Sequence, residues 1–381
     1  MRVLVCPDKF AGSLTAVQAA EAVATGWRRV APTDEVVTRP LSDGGPGFVE
    51  VLAAASDRGG RGGRRVGVET VDPLGRPVQA EVLRTGDTGY VESAQACGLH
   101  LLAPGECDPK RTSSYGLGLL LSTAVETGAT TVVVGLGGSA TNDAGAGMLT
   151  ALGAAPLDRA GRALPYGGAP LIDCAMLGGT PRLREATLVA ATDVDNPLVG
   201  LHGASNVYGP QKGATREDIL LLDAALERFA GVLEKDLETC PAGLAALPGA
   251  GAAGGLGAAI LALGGRCESG IAMVRKQSAL DAALDEADLV ITGEGSFDHQ
   301  SLRGKVVAGV AAACLDRGVP CLVVAGRVDV GRREAAAIGV TETHSLVDHL
   351  GSVDAAMAEA AHGIEEISSR LAAQWSRRVI S

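Results

Sequence analysis

The sequence predicts an α/β fold divided between two domains. Short β-rich runs alternate with Ala- and Leu-rich helical stretches, which favours helices packed on a mainly parallel sheet. A chain of 381 residues is longer than one hydrophobic core usually serves, and 46% of its residues are apolar, enough for two cores. Strand–helix units are clearest near the two ends of the chain, and the middle is less regular.

The individual elements follow from runs of β-branched residues, from Ala/Leu-rich stretches and from turn residues between them. Thr15 and Gln18 have the spacing of a capping box, which marks the start of the first helix, and Pro46 suits the first turn of the second. In order, the predicted strands are residues 3–6, 35–39, 66–70, 78–83, 130–134, 187–191, 289–292 and 321–325, and the predicted helices begin at Ser13 or Thr15 and at Pro46 and then cover 115–127, 217–237, 305–316 and 353–370.

The two ends of the chain are more typical of a doubly wound sheet than the middle is. We therefore predict a Rossmann-like, doubly wound parallel-sheet domain built from residues 1–60 and 286–381, with residues 61–285 inserted as a second α/β domain. Ligands of such folds bind at the carboxyl ends of strands and between domains. The active site is accordingly expected in the cleft between the two.

Charge and cysteine content narrow the classes of function. A net charge of −11 disfavours nonspecific binding to nucleic acid or to an anionic membrane. The eight cysteines include no CxxC pair and no zinc-like spacing, and the first residues do not have the pattern of a signal peptide. We expect reduced thiols, a cytoplasmic location, and neither a nucleic-acid nor a membrane partner; the sequence leaves a homodimer open.

A glycine-rich loop at residues 135–140 follows a predicted strand and matches G-x-G-x-x-A. Backbone N–H groups of Gly137, Gly138 and Ser139, placed at a helix N-terminus, would suit a phosphate. The pattern also favours a dinucleotide, although the next residues are more polar than a Rossmann helix normally carries. Tight packing of the strand on a helix is the alternative without a ligand.

A second glycine-rich segment, residues 249–254, matches G-x-G-x-x-G. It follows Leu247 and Pro248 instead of a strand, so the dinucleotide interpretation is weak there, and close packing is an equal alternative. The chain contains no G-x-x-x-x-G-K-[ST] sequence. A phosphoryl-transfer site in this protein must hold phosphates in another way.

Acidic residues recur where predicted strands end. Asp193 and Asp195 follow a buried strand, and residues two apart at a strand end point to the same side. The two carboxylates are candidates to bind one Mg²⁺, or to divide metal binding and acceptance of a hydroxyl proton between them. Asp43, Glu294 and Asp298 repeat this placement. An Asx-turn is the alternative for any one of them, but the recurrence favours ligand binding.

Lysines are few, and three of them lie among glycines. The chain has six lysines, and Lys9, Lys212 and Lys305 are in glycine-flanked segments. A phosphoryl-transfer site needs cations at the oxygens that gain negative charge in the transition state. These three are the candidates, and a solvated surface charge is the alternative for each.

Taken together, these segments resemble the bacterial glycerate kinase family of the kind that lacks a P-loop. The resemblance covers nearly the whole chain. Its motifs are CPDKFAGSLT (6–15), PLSDGG (40–45), TSSYG (112–116), GLGGSATND (135–143), DVDNPL (193–198), YGPQKGAT (208–215), GAGAAGG (249–255) and ITGEG (291–295).

The resemblance implies a kinase that uses ATP and Mg²⁺ to phosphorylate D-glycerate, with 2-phosphoglycerate as the product. It implies a two-domain α/β fold with the site in the cleft. The residues expected to bind glycerate are Asp8, Lys9, Ser13, Asp43 and Gly44; those expected to bind ATP are Gly137, Gly138, Ser139, Asn142, Asp143, Glu294, Asp298 and Lys305; those expected to be catalytic are Asp193, Asp195 and Lys212, with Asp193 and Asp195 also as metal ligands.

The chain departs from the family pattern at two positions. Ala11 stands where the family usually has a lysine before the Gly-Ser pair, and Ser296 stands where many relatives have arginine. Lys9 is a candidate to supply the missing charge of the first loop. Two other functions stay open: an NAD(P)-dependent oxidoreductase that uses residues 135–140, and a non-catalytic sensor of sugar acids.

Overall fold

A computed structural model describes residues 1–10, 12–60, 62–299, 301–302 and 306–376. Its strands are β1 Arg2–Val5, β2 Glu35–Thr38, β3 Arg64–Val71, β4 Pro77–Thr85, β5 Thr88–Glu92, β6 Thr131–Gly135, β7 Ala155–Leu157, β8 Met176–Gly178, β9 Thr187–Ala191, β10 Arg266–Glu268, β11 Leu289–Phe297, β12 Cys321–Val328 and β13 Glu342–Ser345. Its helices are α1 Ala16–Val30, α2 Phe48–Arg58, α3 Ala94–Cys97, α4 Tyr115–Glu126, α5 Ala146–Ala151, α6 Ala204–Tyr208, α7 Arg216–Asp236, α8 Ala252–Ala262, α9 Gly270–Gln277, α10 Leu280–Asp285, α11 Val306–Arg317, α12 Arg332–Ala337, α13 Leu346–Leu350, α14 Val353–Ala358 and α15 Ala360–Trp375.

The chain forms two compact units. The first contains Met1–Asp43, Glu50–Gly59 and the chain from Ile271 onward; the second contains Gly44–Val49 and Gly60–Gly270. The predicted α/β class is confirmed, with one parallel sheet built from both ends of the chain and one mixed sheet from its middle. The domain borders predicted from the sequence, 1–60 with 286–381 and 61–285, stay a prediction.

The first unit is built on a five-stranded sheet in the order β13-β12-β11-β1-β2, in which every neighbouring pair is parallel. Its core includes Val3 and Val5 of β1, which are fully buried against helices α1 and α15. Burying one such side chain contributes about 1.5–3 kcal/mol. The capping box predicted for Thr15 and Gln18 is confirmed at the start of α1.

The second unit is built on a six-stranded mixed sheet in the order β10-β9-β6-β5-β4-β3. The four strands β10, β9, β6 and β5 are parallel, whereas β4 is antiparallel to both β5 and β3. The carboxyl ends of the parallel strands therefore lie at one edge, and because β3 runs in their direction, the turn after β3 lies at that edge too. Helices α4 and α8 cover hydrophobic residues of this sheet.

Two helix predictions differ from the structure. The predicted final helix, 353–370, is interrupted at Glu359, which separates α14 from α15. The loop after β6 was expected to enter a helix near Ala140, but α5 begins only at Ala146, after the left-handed residues Ala144 and Gly145. Among the described residues, no helix has the length and apolar character needed to cross a lipid bilayer.

Candidate active site

The first unit brings Asp8, Lys9 and Asp43 together at the carboxyl ends of β1 and β2. The Lys9 ammonium lies 3.5 Å from Asp43 Oδ1 and 3.8 Å from Asp8 Oδ1. The Lys9 side chain is 23% exposed. An ammonium can attract the carboxylate of a ligand, and acidic side chains can accept hydrogen bonds from hydroxyl groups.

Strand β11 adds Glu294 beside this first loop. The Asp8 N–H donates to the carbonyl of Gly293 at 2.8 Å, and the Gly295 N–H donates to that of Lys9 at 3.3 Å. These bonds align the loop with β11 and set Glu294, a buried residue, next to it. In this unit the backbone of the Asp8–Lys9 loop thus runs beside Glu294, and a shared role of the acids at strand ends stays a prediction.

Three further predicted residues of this unit have local partners or lie outside the described structure. Ser13 Oγ donates to the carbonyl of Phe10 at 3.1 Å, a bond that closes the turn before α1. Asp298 accepts from the Ser301 N–H at 3.3 Å through Oδ1. Lys305, predicted to bind ATP, and Ala11, where the family usually has lysine, lie outside the described residues.

In the second unit, the loop after β6 packs against the glycine-rich segment that begins at Gly44. A Cβ atom on Gly137 would lie 2.6 Å from the Cα of Gly45, and one on Gly138 would lie 3.0 Å from the Pro46 ring. A Cβ on Gly44 would lie 2.7 Å from the carbonyl oxygen of Ala191, and the φ of Gly44 is +91°. These glycines are required by close backbone packing.

The polar end of the same loop is buried. Asp143 is fully buried and accepts four hydrogen bonds, from the N–H and hydroxyl of Ser114 and from the N–H groups of Gly145 and Gly147. Burial raises the pKa of Asp143 above its ordinary value, and these hydrogen bonds oppose the rise. Asp143 thus fixes the loop from inside.

Lys212 is also internal, although its sequence setting predicted an open loop. Its side chain is one of the largest fully buried ones, and its ammonium donates to Ser139 Oγ at 3.0 Å and to the carbonyl of Thr141 at 2.7 Å. Burial lowers the pKa of Lys212 to about 7, and the nearby charge of Asp143 partly opposes this. The lysine therefore holds the loop that contains Ser139.

Two buried polar atoms of this loop have no hydrogen-bond partner. They are Thr141 Oγ1 and Asn142 Oδ1, whereas Asn142 Nδ2 donates to Ser205 Oγ at 2.9 Å. Buried polar groups are rarely left unpaired, so an ordered water is the natural partner for them. Together with Lys212, they form a polar interior beneath the outward-facing Gly138, which is exposed.

Asp193 and Asp195 are both exposed beyond the carboxyl end of β9. Asp193 Oδ1 accepts from the Ser269 hydroxyl at 2.5 Å, directly after β10. Burial raises the pKa of the Tyr208 phenol, and the negative charge of nearby Asp195 raises it further. Both residues follow the strand directly, and their convergence on one side stays a prediction.

The second glycine-rich segment is explained by packing. Gly254 and Gly255 have φ values of +73° and +90°, and Cβ atoms there would lie 1.9 Å from the Thr141 carbonyl oxygen and 2.7 Å from the Ala144 Cα. The segment therefore packs closely against the backbone of the loop after β6. The alternative of pure packing suffices for these glycines.

Sequence reasoning missed several residues that shape this region. Ser114 is the main partner of Asp143, and Tyr208 donates its hydroxyl to Asn196 Oδ1 at 2.6 Å. Both belong to quoted motifs, so a signal existed, but neither spacing nor residue type specified these contacts. Among the described residues, no cluster of three or more His, Cys, Asp or Glu side chains is arranged to hold a metal ion.

Comparison with known proteins decides the family. The model of the glycerate kinase family matches residues 3–376. The chain belongs to the glycerate kinase family. A glycerate kinase of Halalkalibacterium halodurans is 40% identical over 98% of this chain and 99% of its own, and a glycerate 2-kinase of Escherichia coli is 40% identical over 98% of this chain and 97% of its own.

A solved structure agrees over the whole length. The crystal structure of a putative glycerate kinase 2 from Salmonella typhimurium LT2 superposes with a TM-score of 0.80 at 36% identity, and each chain is covered completely. Membership of the glycerate kinase family makes this chain an ATP-dependent phosphotransferase. The dinucleotide interpretation of residues 135–140 also loses support, because no helix follows the loop directly and α5 does not begin until Ala146.

Proposed function

We propose that this protein transfers the γ-phosphoryl group of ATP to the 2-hydroxyl of D-glycerate, which gives 2-phosphoglycerate and ADP. The observation that carries the proposal is the family match over residues 3–376. The regiochemistry draws on the E. coli relative, which is named a glycerate 2-kinase and shares 40% identity with this chain.

We assign the glycerate site to the first unit. Lys9 binds the carboxylate of glycerate, and Asp43 and Asp8 orient its hydroxyl groups, in keeping with the 3.5 Å and 3.8 Å separations of their carboxylates from the Lys9 ammonium. Ser13 belongs to the turn before α1, and Gly44, the first residue of the second unit, follows Asp43 directly in the chain. Glu294 lies within β11 and Asp298 directly follows it, and we assign both residues to ATP binding.

We assign the ATP phosphates to the loop after β6. Gly138 is the exposed position of that loop, and backbone amides at Gly137, Gly138 and Ser139 are the donors. Lys212 acts as a positioning residue through Ser139 and Thr141, which revises its predicted direct role because its ammonium is internal. Asn142 and Asp143 act in the same indirect way. Lys305 keeps its predicted role in ATP binding as a proposal made from the sequence alone.

Asp193 and Asp195 are suitable ligands for the Mg²⁺ ion that accompanies ATP. Mg²⁺ is commonly held by one or two carboxylates, with phosphate oxygens and water completing its shell, so an exposed pair of carboxylates is a sufficient donor set. When bound, the ion would neutralise charge on the phosphates. We further assign to one carboxylate of the pair the acceptance of the proton of the substrate hydroxyl, as the oxygen of that hydroxyl forms the new P–O bond and the bond between the γ-phosphorus and the bridging oxygen breaks.

The direct test couples ADP formation to NADH oxidation with D-glycerate, L-glycerate, glycolate and D-lactate as acceptors. We expect turnover that requires ATP, Mg²⁺ and D-glycerate. Thermal stabilisation by D-glycerate without release of ADP would favour a non-catalytic sensor and contradict the proposal. Equal turnover with every hydroxy acid would contradict the assignment of the substrate.

A further inference from the structure

We propose that a cavity in the second unit, formed by the β3–β4 turn, the segment before α4 and residues 165–170, binds the adenine and ribose of ATP. This inference rests on the proposed kinase function. The cavity has a volume of about 710 Å³, within the range of about 300–1,000 Å³ usual for small-molecule sites. Glycerate, with three carbons, would leave most of it filled with water.

The cavity lies at the edge of the sheet where ligands are expected. The turn after β3 is at the same edge as the carboxyl ends of β5, β6 and β9, because β3 and β5 are both antiparallel to β4. Helix α4 leads back into β6, so its first residues also lie there. Ligands of α/β sheets bind at this edge.

One chain segment is both a wall of the cavity and a partner of the proposed phosphate loop. Arg111, Ser113 and Tyr115 line the cavity. The residues between them turn the other way: Thr112 Oγ1 donates to the carbonyl of Ala140 at 2.9 Å, and Ser114 Oγ donates to Asp143 at 2.8 Å. This short segment therefore lines the cavity and also holds the loop after β6.

The walls are fixed to one another by backbone contacts. The Ser113 N–H donates to the carbonyl of Pro73 at 2.9 Å, which joins the segment to the β3–β4 turn. A Cβ on Gly167 would lie 2.1 Å from the Lys110 carbonyl oxygen, and one on Gly168 would lie 2.3 Å from that of Asn142. Residues 165–170 are therefore held against the segment before α4 and against the loop after β6. Because the cavity is already formed, ligand binding there would cost little conformational entropy.

The chemistry of the lining suits a nucleoside that continues into a polyanion. Tyr115 and Tyr166 form an edge-to-face pair with ring centroids 5.5 Å apart, and Tyr166 remains 54% exposed. Aromatic faces stack on purines regardless of hydrogen-bond pattern. Arg111 is exposed, and among the described residues its guanidinium has no hydrogen bond or ion pair, which suits it to a phosphate oxygen.

The test measures ADP binding by calorimetry, together with the KM values for ATP and D-glycerate, on the full-length chain. Tyr166→Ala removes the exposed ring, Ala169→Phe fills the cavity, and Leu201→Ala, at a residue that is 79% exposed and outside the lining, is the matched control. We expect the first two variants to weaken ADP binding and raise the KM for ATP about tenfold, with the KM for glycerate unchanged. Leu201→Ala should behave as the unmodified chain.

Photolabelling with 8-azido-ATP provides a readout that does not depend on activity. The label should be recovered on tryptic peptides 112–159 or 163–182, which contain Tyr115 and Tyr166. The inference would be overturned by unchanged ADP binding in both variants, by a rise in the KM for glycerate instead of ATP, or by a label on other peptides. If glycerate turnover persisted in these cases, the proposed function would still stand. A wild-type chain that bound no ADP and formed none would overturn the inference and the proposed function together.

Discussion

The ammonium of Lys212 lies 2.7 Å from the carbonyl oxygen of Thr141, inside the second unit. The charge of this lysine is thus used to hold the backbone of the loop after β6. Asp143, which faces the same interior, holds the next residues of that loop through four hydrogen bonds. The two residues link the position of Ser139 to the protonation state of a buried group.

The stability of the protein should depend on pH through Lys212. Its folded pKa is lowered from 10.5 to about 7, so between these values the unfolded chain binds the proton and the folded chain does not. Stability contributed by this group therefore rises with pH in that window, by at most about 1.4 kcal/mol per pH unit. Lys212→Met removes the titration.

Urea unfolding at pH 7, 8 and 9 checks this. The free energy of unfolding of the wild type minus that of Lys212→Met should increase over the series. Asp143 and Cys97 are the other titratable groups near the ammonium, and both are present in the two proteins. Parallel profiles for wild type and variant would show that the lysine stays charged.

Substitutions of Gly44 and Gly47 can separate the energetic cost of a close backbone contact from the cost of a left-handed backbone conformation. Both have left-handed φ values, +91° and +93°, but a Cβ on Gly44 would lie 2.7 Å from the Ala191 carbonyl oxygen, whereas one on Gly47 would meet nothing within 4 Å. Strain alone amounts to about 1–2 kcal/mol. We expect Gly44→Ala to destabilise the protein by clearly more than Gly47→Ala in denaturant unfolding; equal losses would show that the contact with Ala191 relaxes freely.

The sequence predicted the α/β framework well because its cause is local. Buried β-branched runs specify β1, β6, β9 and β11, and the Thr15–Gln18 capping box specifies the start of α1. The loop after β6 could not be predicted in the same way. Its course depends on the distant partners Ser114 and Lys212, which the chain brings in from 29 and 73 residues away.

In the candidate site, too, some features could be predicted from the sequence and others depend on tertiary packing. The acids at strand ends were predicted from position, since parallel strands end at one edge. The burial of Lys212, by contrast, depends on tertiary packing, and its glycine-rich setting looked like that of an exposed loop. The Tyr115–Tyr166 cavity was missed because two tyrosines 51 positions apart give no periodic signal.

Asp195 should be required for turnover. Asp195→Asn removes a carboxylate without changing its size, and we expect kcat to fall about 10²-fold or more with smaller changes in the KM values. Asp173→Asn, at another exposed aspartate of the same unit, is the control. Unchanged kinetics for Asp195→Asn would remove this residue from the chemistry.

Lys9 should determine glycerate affinity. Lys9→Met keeps the aliphatic stem but removes the cation that lies between Asp8 and Asp43. The KM for D-glycerate should rise by about tenfold or more, the effect of losing a charge-assisted hydrogen bond, with the KM for ATP little changed. Lys276→Met, at an exposed lysine, is the control. A selective rise in the KM for ATP would place Lys9 on the nucleotide instead.

The most direct measurement is the proton-coupled ³¹P spectrum of the product formed from ATP and D-glycerate. Transfer to the 2-hydroxyl places phosphorus next to a single C–H proton, so the product resonance should be a doublet, and it should co-resonate with added 2-phosphoglycerate. A triplet that co-resonates with 3-phosphoglycerate would contradict the proposed regiochemistry. A spectrum with ATP unconsumed would contradict the proposed reaction itself.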